Sequence, residues 1–321
     1  MDNLRLLITD NSLLLTKKEK QILHQSFSSD EECFSLLSAA LKPYKNESLD
    51  CFFSGSWLES QTRIVHYTNK DPFTADKSML ERLIENARVS FLEEYKEKEL
   101  EVITTSVCTI NVNGYQVTEL KKDKATDLKI TVFFAALPKV FKKKLVTALK
   151  PISENRITFA SFAQSLTDRI FKLSGKDEFI ACSAYERSTD IFLRKSGNFF
   201  EVLTIPLGTH HVLEHIAQGL SLQNDESESH LALYNDGALD PVLASKVEAC
   251  ILSFQISLDE EMKRALTLLS EGIALPSNVY LLVAPFFKKA YDASFRSDSY
   301  HSLSFSQKGF EVTNMSSILT S

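Results

Sequence analysis

The chain has 321 residues, of which 44% are hydrophobic and 22 are phenylalanine, enough to bury a sizeable core in two domains or one bilobed unit. Its formal net charge of -6 excludes a nucleic-acid binder that works by neutralising phosphates, because that needs a basic face. The five cysteines, Cys33, Cys51, Cys108, Cys182 and Cys250, lack Cys-x-x-Cys spacing, which excludes a zinc ribbon and a disulfide framework and points to a reduced, cytoplasmic compartment.

Residues 4–9, 12–16 and 21–27 read as short strands of a meander, joined by turns at Asp10-Asn11 and at 17–20. Ser29-Asp30 then caps a helix whose apolar positions Phe34, Leu37 and Leu41 run up to Pro43. Residues 49–54 are an almost unbroken apolar run of strand length, suited to a sheet covered on both faces. Beyond Gly55-Ser56-Trp57 and Asp71-Pro72-Phe73, a helix is expected from about Asp76 to Glu97, with Leu80, Leu83, Ile84, Ala87, Phe91 and Tyr95 on one face. Its other face is Glu and Lys, including the acid-rich 93–101, and reads as solvated rather than catalytic. Strands follow at 102–112, 115–120 and 128–136, with a tight turn at Asn113-Gly114. Pro138 opens a helix through Phe141, Leu145 and Leu149.

A strand at 156–160 and a helix at 161–173 precede a second long unit. It opens with residues 179–217, FIACSAYERSTDIFLRKSGNFFEVLTIPLGTHHVLEHIA, which read as two or three strands, a tight turn, and a helix entered at Pro206-Leu207-Gly208. Residues 224–230 read as a loop rich in Asp, Glu and Ser, followed by helices at 241–252 and 258–269, a buried strand at 278–283 and a helix at 285–293. The tail, 296–321, is rich in Ser and loosely patterned, and no internal repeat or low-complexity tract stands out. No apolar run approaches the roughly 20 residues of a membrane span, and Met1-Asp2-Asn3 is acidic and lacks a signal-peptide pattern.

Thr189-Asp190-Ile191, Lys195-Ser196-Gly197 and Ile205-Pro206-Leu207-Gly208 carry a resemblance. This frame is similar to the second phosphate-loop region of actin-like ATPases, FtsA and PilM among them, with the glycines missing. Residues 56–63 around Trp57 and Thr62-Arg63, the Asn113-Gly114-Tyr115 turn and residues 275–282 resemble PilM-like proteins as well. The resemblance covers nearly the whole chain and implies an α/β, bilobed actin-like (ribonuclease H-like) fold with an inserted strand-helix-strand-strand subdomain. Residues 1–75 and 151–176 would form the first lobe, 76–150 the insert, and 177–321 the second lobe with a helical insert at about 219–272.

Three places decide whether such a protein holds ATP. At the first turn, Asp10-Asn11-Ser12 keeps an acid but lacks the family's glycine, and Asp-Asn is a common turn pair. At the second loop, Ser183 stands where an acidic residue would be, Tyr185 and Glu186 stand where glycines would let the backbone close on phosphate oxygens, and Thr189 and Asp190 read as strand-start and turn residues. At the third, the glycine run expected after 275–282 is replaced by Val283-Ala284-Pro285-Phe286-Phe287, whose side chains would fill the adenine-ribose space. The implied protein is a pseudo-ATPase without cofactor, catalytic residues or metal.

His211 and His215 have a metal-gripping i,i+4 spacing beside His210 and Glu214, but no third ligand accompanies them, so they read as helix-surface or packing residues. Ser54-Gly55-Ser56 is not a nucleophile elbow. The basic runs at 121–124 and 142–144 read as solvated loop and helix ends.

Proteins of the PilM kind grip the cytoplasmic tail of a membrane partner in type IV pilus assembly. The resemblance therefore implies a cytoplasmic scaffold at the inner membrane, reached through a peptide of that partner, with self-association possible and no membrane span of its own. An FtsA-like division filament and an active ATPase of the same fold are the alternatives. Residues 309–321 are short, polar and not basic, unlike the membrane helix of FtsA, which favours the PilM-like role.

Overall fold

The computed structural model describes residues 3–18, 20–195, 198–270, 274–295, 298–304 and 309–315. The chain opens with β1 (Leu4–Ile8), β2 (Ser12–Lys17) and β3 (Lys20–Ser26), as its alternating apolar residues dictate. Leu4, Leu6, Ile8, Leu13 and Leu15 all point into one core. Helix α1 (Asp30–Leu41) starts where Ser29 accepts from the Glu32 N–H, carries three acids in its first turn, and buries Cys33, Leu37 and Leu41 at four-residue spacing. Strand β4 (Leu49–Phe53) then pairs parallel to β1.

The insert is larger in sheet than its sequence suggested. Strand β5 (Glu59–Ala75) is followed by helix α2 (Lys77–Glu94), whose N–H of Met79 is capped by Asp76 at 2.9 Å, and by β6 (Leu100–Val112), β7 (Tyr115–Val117) and β8 (Asp123–Pro138). Pairing from Glu59↔Ala136 to Ala75↔Asp123 puts β5 in one antiparallel sheet with order β5-β8-β6-β7, so that sheet begins at Glu59 and not at 76. Asn113 (φ 50) and Gly114 (φ 85) both take the left-handed conformation that a two-residue hairpin of this twist requires. Met79, Leu83, Ala87 and Phe91 of α2 pack on Ile130, Val132 and Phe134 of β8.

Helix α3 (Lys139–Ala148), expected in the insert, packs instead in the first-lobe core, where Phe141 stacks on Trp57 at 4.2 Å between ring centroids. Strand β9 (Ile157–Ser161) closes a sheet of order β3-β2-β1-β4-β9, and α4 (Phe162–Ser174) ends at Gly175.

The second lobe repeats this plan. It comprises β10 (Phe179–Ala184), β11 (Thr189–Lys195), β12 (Asn198–Ile205), α5 (Thr209–Leu220), α6 (Asn224–Asn235), α7 (Pro241–Ser270), β13 (Asn278–Leu282), α8 (Lys288–Phe295) and β14 (Glu311–Asn314). Its sheet order, β12-β11-β10-β13-β14, is that of the first lobe strand for strand. The turn between β1 and β2 and the turn between β10 and β11 are therefore equivalent.

Three expectations are corrected here. Residues 224–230 are helical, because Glu226 reaches back 2.9 Å to the Gln223 N–H and caps α6. The two helices expected at 241–252 and 258–269 are one, since neither Pro nor Gly interrupts residues 242–270 and Val247, Ile251, Phe254, Leu258, Met262, Leu266 and Leu269 form one continuous inner face. The tail contributes β14, parallel to β13. By length and composition α7 could cross a membrane, and that inner face is part of the second-lobe core. Ser196-Gly197, Met1-Asp2, Gly272 and the tail from 316 lie outside the described residues.

All five cysteines are free and buried. Burial pushes the Cys33 and Cys108 thiols up to about 12 and raises Cys51, Cys182 and Cys250 as well. At pH 8 a thiol of that kind is about one part in ten thousand thiolate. Iodoacetamide at pH 8 is thus expected to leave Cys33 and Cys108 unmodified in the native protein and to label them in denaturant, read by intact and peptide mass; rapid native labelling would contradict this burial.

Candidate functional site

The equivalent turns of the two lobes face each other and are joined by a polar seam. From the first lobe come Thr9–Ser12 and the turn after β4, Ser54–Trp57; from the second come Tyr185–Ser188, Asp190 at the start of β11, and the entry to α5. Asp10 accepts from the Ser56 N–H and hydroxyl, both at 2.7 Å, and across the lobes from the Ser188 hydroxyl. Asn11 donates its amide to Glu186, which also accepts from Ser26 at 3.2 Å. Asp190 accepts from the Ser54 hydroxyl, the Gly55 N–H at 3.3 Å and the Thr204 hydroxyl at 2.6 Å. The Ser54 hydroxyl also lies 2.6 Å from the Tyr185 phenol.

Two glycines make this closeness possible. Gly55 has φ +67, and a Cβ there would sit 2.5 Å from Asp10 Oδ1. At Gly208 a Cβ would lie 2.5 Å from the carbonyl oxygens of both Tyr185 and Glu186. Those carbonyls accept from Thr209 N–H and His210 N–H, each at 2.8 Å, while His211 N–H turns back to Gly208 at 3.2 Å. The first amides of α5, which an anion at a helix start would use, are thus spent on the β10–β11 turn.

The electrostatics follow from burial. Asp190 is raised above its ordinary 3.8, chiefly because it is buried, although Ser54, Thr204 and Gly55 pull it down by hydrogen bonding and Asp10 adds to the rise. Burial, then Asp190, keeps the Tyr185 phenol protonated far above its ordinary range. The donors in the seam are committed to carboxylates, and three acids, Asp10, Glu186 and Asp190, line it.

The structure brings Asp10, Asn11, Tyr185, Glu186 and Asp190 together. Ser12 supports the first turn through a 2.6 Å contact with the Thr9 hydroxyl, and Ser183 is buried in β10 next to the Tyr185 phenol. Thr189 faces the other way, donating to the Leu207 carbonyl at 2.6 Å and lying 3.2 Å from the Tyr291 hydroxyl. Ala284 and Pro285 are exposed at the end of β13, and Phe286 and Phe287 pack against the second-lobe core. The histidines serve the helix: His211 Nδ1 accepts from the Gly208 N–H at 3.0 Å, and His215 meets the Phe254 ring edge-on, its basicity lowered by burial. Among the described residues no three His, Cys, Asp or Glu side chains are grouped to hold a metal.

Ser188 and Thr204 were missed by sequence reasoning, being hydroxyls without a motif, and Ser54 and Ser56 were noted in the sequence without a place in this site. With only 9 glycines in the chain, Gly55 and Gly208, each at an element junction, were the available signal.

The sequence matches no family model and no curated protein. Solved structures do resemble the chain. That of the PilM-PilN type IV pilus biogenesis complex superposes with a TM-score of 0.64 at 14% identity, covering 98% of this chain and 88% of that one. A Bacteroides thetaiotaomicron protein with actin-like ATPase fold and unknown function gives 0.49 at 8% identity, over 98% and 90%. The ethanolamine utilization protein EutJ from Carboxydothermus hydrogenoformans gives 0.47 at 9%, over 98% and 85%. Two lobes with one strand order, the insert within the first of them and the superposition on the PilM-PilN structure together give the chain a bilobed actin-like fold of the PilM type.

Proposed function

We propose that this protein is a cytoplasmic scaffold of PilM type, which binds the cytoplasmic tail of an inner-membrane partner during assembly of a pilus or another envelope complex and hydrolyses no ATP. The observation that carries this reading is the seam. Where an actin-like enzyme opens a cleft for nucleotide, Asp10–Ser188, Asn11–Glu186 and Ser54–Asp190 tie lobe to lobe. A body held shut by its own side chains offers surfaces rather than chemistry. The fold shared with the PilM-PilN structure supports the choice of a membrane-protein tail as ligand.

Calorimetry and thermal melts with Mg-ATP test the first half. A nucleotide at 100 times its Kd would add about 2.7 kcal/mol of stability; near 1 mM Mg-ATP the expected result is no heat of binding and no shift of Tm. Binding at micromolar affinity would overturn the pseudo-ATPase reading. For the second half, the full-length chain is titrated with peptides covering the cytoplasmic tails of single-span membrane proteins encoded beside it. One tail is expected to bind with or without nucleotide, and silence from all of them in both conditions would count against the scaffold.

A further inference from the structure

The first half of β5 is a bare sheet edge with a helix beside it. Strand β5 lies at the border of its sheet, and among the described residues β8 is the one strand paired with it. The Thr62 N–H reaches the Glu201 carboxylate of β12 at 3.3 Å, so Thr62 turns its backbone away from β8. Backbone groups alternate sides along a strand, and pairing is regular from Glu59 to Thr68. Ile64, His66 and Thr68 therefore also present their N–H and C=O groups outward.

Between this edge and α2 runs a groove of about 530 Å³, with Arg63 and Val65 on the strand side and Leu83, Asn86, Ala87 and Ser90 on the helix side. Two polar atoms at it, Gln61 Oε1 and Arg63 Nε, are shielded from water and lack a hydrogen-bond partner. Ile64 is 54% exposed. Natural edges are blunted by charge, proline and irregularity. The far end of β5 has all three, since Lys70, Asp71 and Pro72 fall in the break of register between Thr68 and Phe73. At the opposite border β7 is only three residues long. From Ile64 to Thr68 the strand has neither proline nor a break of register.

We propose that this groove is the docking site of the partner's tail, taken as an extended strand added to the Ile64–Thr68 edge with apolar side chains at alternate positions. This rests on the scaffold reading above. Backbone hydrogen bonds to Ile64 and His66 give affinity, and an apolar residue laid against Val65, Leu83 and Ala87 gives selectivity. At the rim Arg63 is paired with Glu94 and the His66 ring is hydrogen-bonded to Asp127, so both carboxylates are already engaged and the complementary ligand is uncharged where it lies in the groove.

The test uses the full-length chain, a displayed library of random 12-residue peptides, and the membrane-tail peptides. Two tryptophan variants at exposed positions accompany it: Asn86→Trp, which fills the groove, and Ser253→Trp on α7 as control. Bound peptides are expected to slow hydrogen exchange at the Ile64 and His66 amides, to bind Asn86→Trp at least tenfold more weakly, and to bind Ser253→Trp unchanged. No enriched peptide, or peptides that ignore both β5 and Asn86→Trp, would overturn the proposal. A tail that binds the wild type and Asn86→Trp equally sinks this groove and leaves the scaffold reading standing; library peptides seated on β5 with no tail binding anywhere do the reverse. Sedimentation closes the remaining case: self-association abolished by Asn86→Trp would make the occupant a second copy and refute the peptide.

Discussion

Replacing Asp190 by alanine is expected to lower stability by about 3 kcal/mol, the largest effect of a single side chain in the seam. The substitution strands the Thr204 hydroxyl and the Gly55 N–H and leaves the Ser54 hydroxyl to the Tyr185 phenol alone, and each buried donor left without its acceptor costs about 1–3 kcal/mol. Relief of a buried charge offsets part of that sum. Because Ser54 and Gly55 belong to the other lobe, amide exchange at Gly55–Trp57 is expected to accelerate by more than the global loss alone explains. Unchanged exchange there, with an unchanged unfolding midpoint, would show that the seam does not hold the lobes.

The same residue fixes a pH dependence. With its folded value raised above the ordinary 3.8, Asp190 takes up its proton more readily in the folded state. Its contribution to stability is therefore fully present below that ordinary value and is lost as pH rises through the raised folded value. Asp190→Asn removes this titration. The difference in stability between wild type and Asp190→Asn should shift against the wild type as pH climbs from about 4 through that window, and then level off. A difference that is flat across the window would mean that Asp190 titrates as in the unfolded chain.

Gly208→Ala is expected to cost about 2 kcal/mol net. Its Cβ would press on the Tyr185 and Glu186 carbonyls at 2.5 Å, and crowding of this kind costs about 1–3 kcal/mol. The φ of -134 at Gly208 is open to any residue, so the usual gain of under 1 kcal/mol from a stiffer unfolded chain subtracts only a little. To relieve the clash, α5 must withdraw and lose the bonds from Thr209 and His210. Trimming the neighbouring side chain, as in Gly208→Ala with Glu186→Ala, should restore nothing, because the collision is with backbone. Recovery in that double variant, measured by urea unfolding, would place the clash elsewhere.

Much of the fold is written locally. The alternation of β1, the cap at Ser29, the Asn113-Gly114 hairpin and the four-residue spacing in α2 are each set by neighbours within a few positions. Where the sequence misled, the deciding partner was remote or the local cue ambiguous. No strand is legible at 59–75, where Asp71-Pro72 interrupts the pattern, yet pairing with β8 carries β5 across the break. Helix α7 reads as two because its Ser and Gln look like a pause, and the second-lobe core runs unbroken beneath them.

Residue type alone determined that acids and bulky side chains stand in the turns after β1 and β10, and that the strands and helices follow the order of an actin-like body. Tertiary structure decided what those residues touch. Asp10 and Ser188 are 178 positions apart, and Ser54 and Asp190 136; no periodicity of two or four residues can encode such meetings. They arise because two sheets of identical strand order face each other across one boundary, and that boundary exists only once both cores have formed.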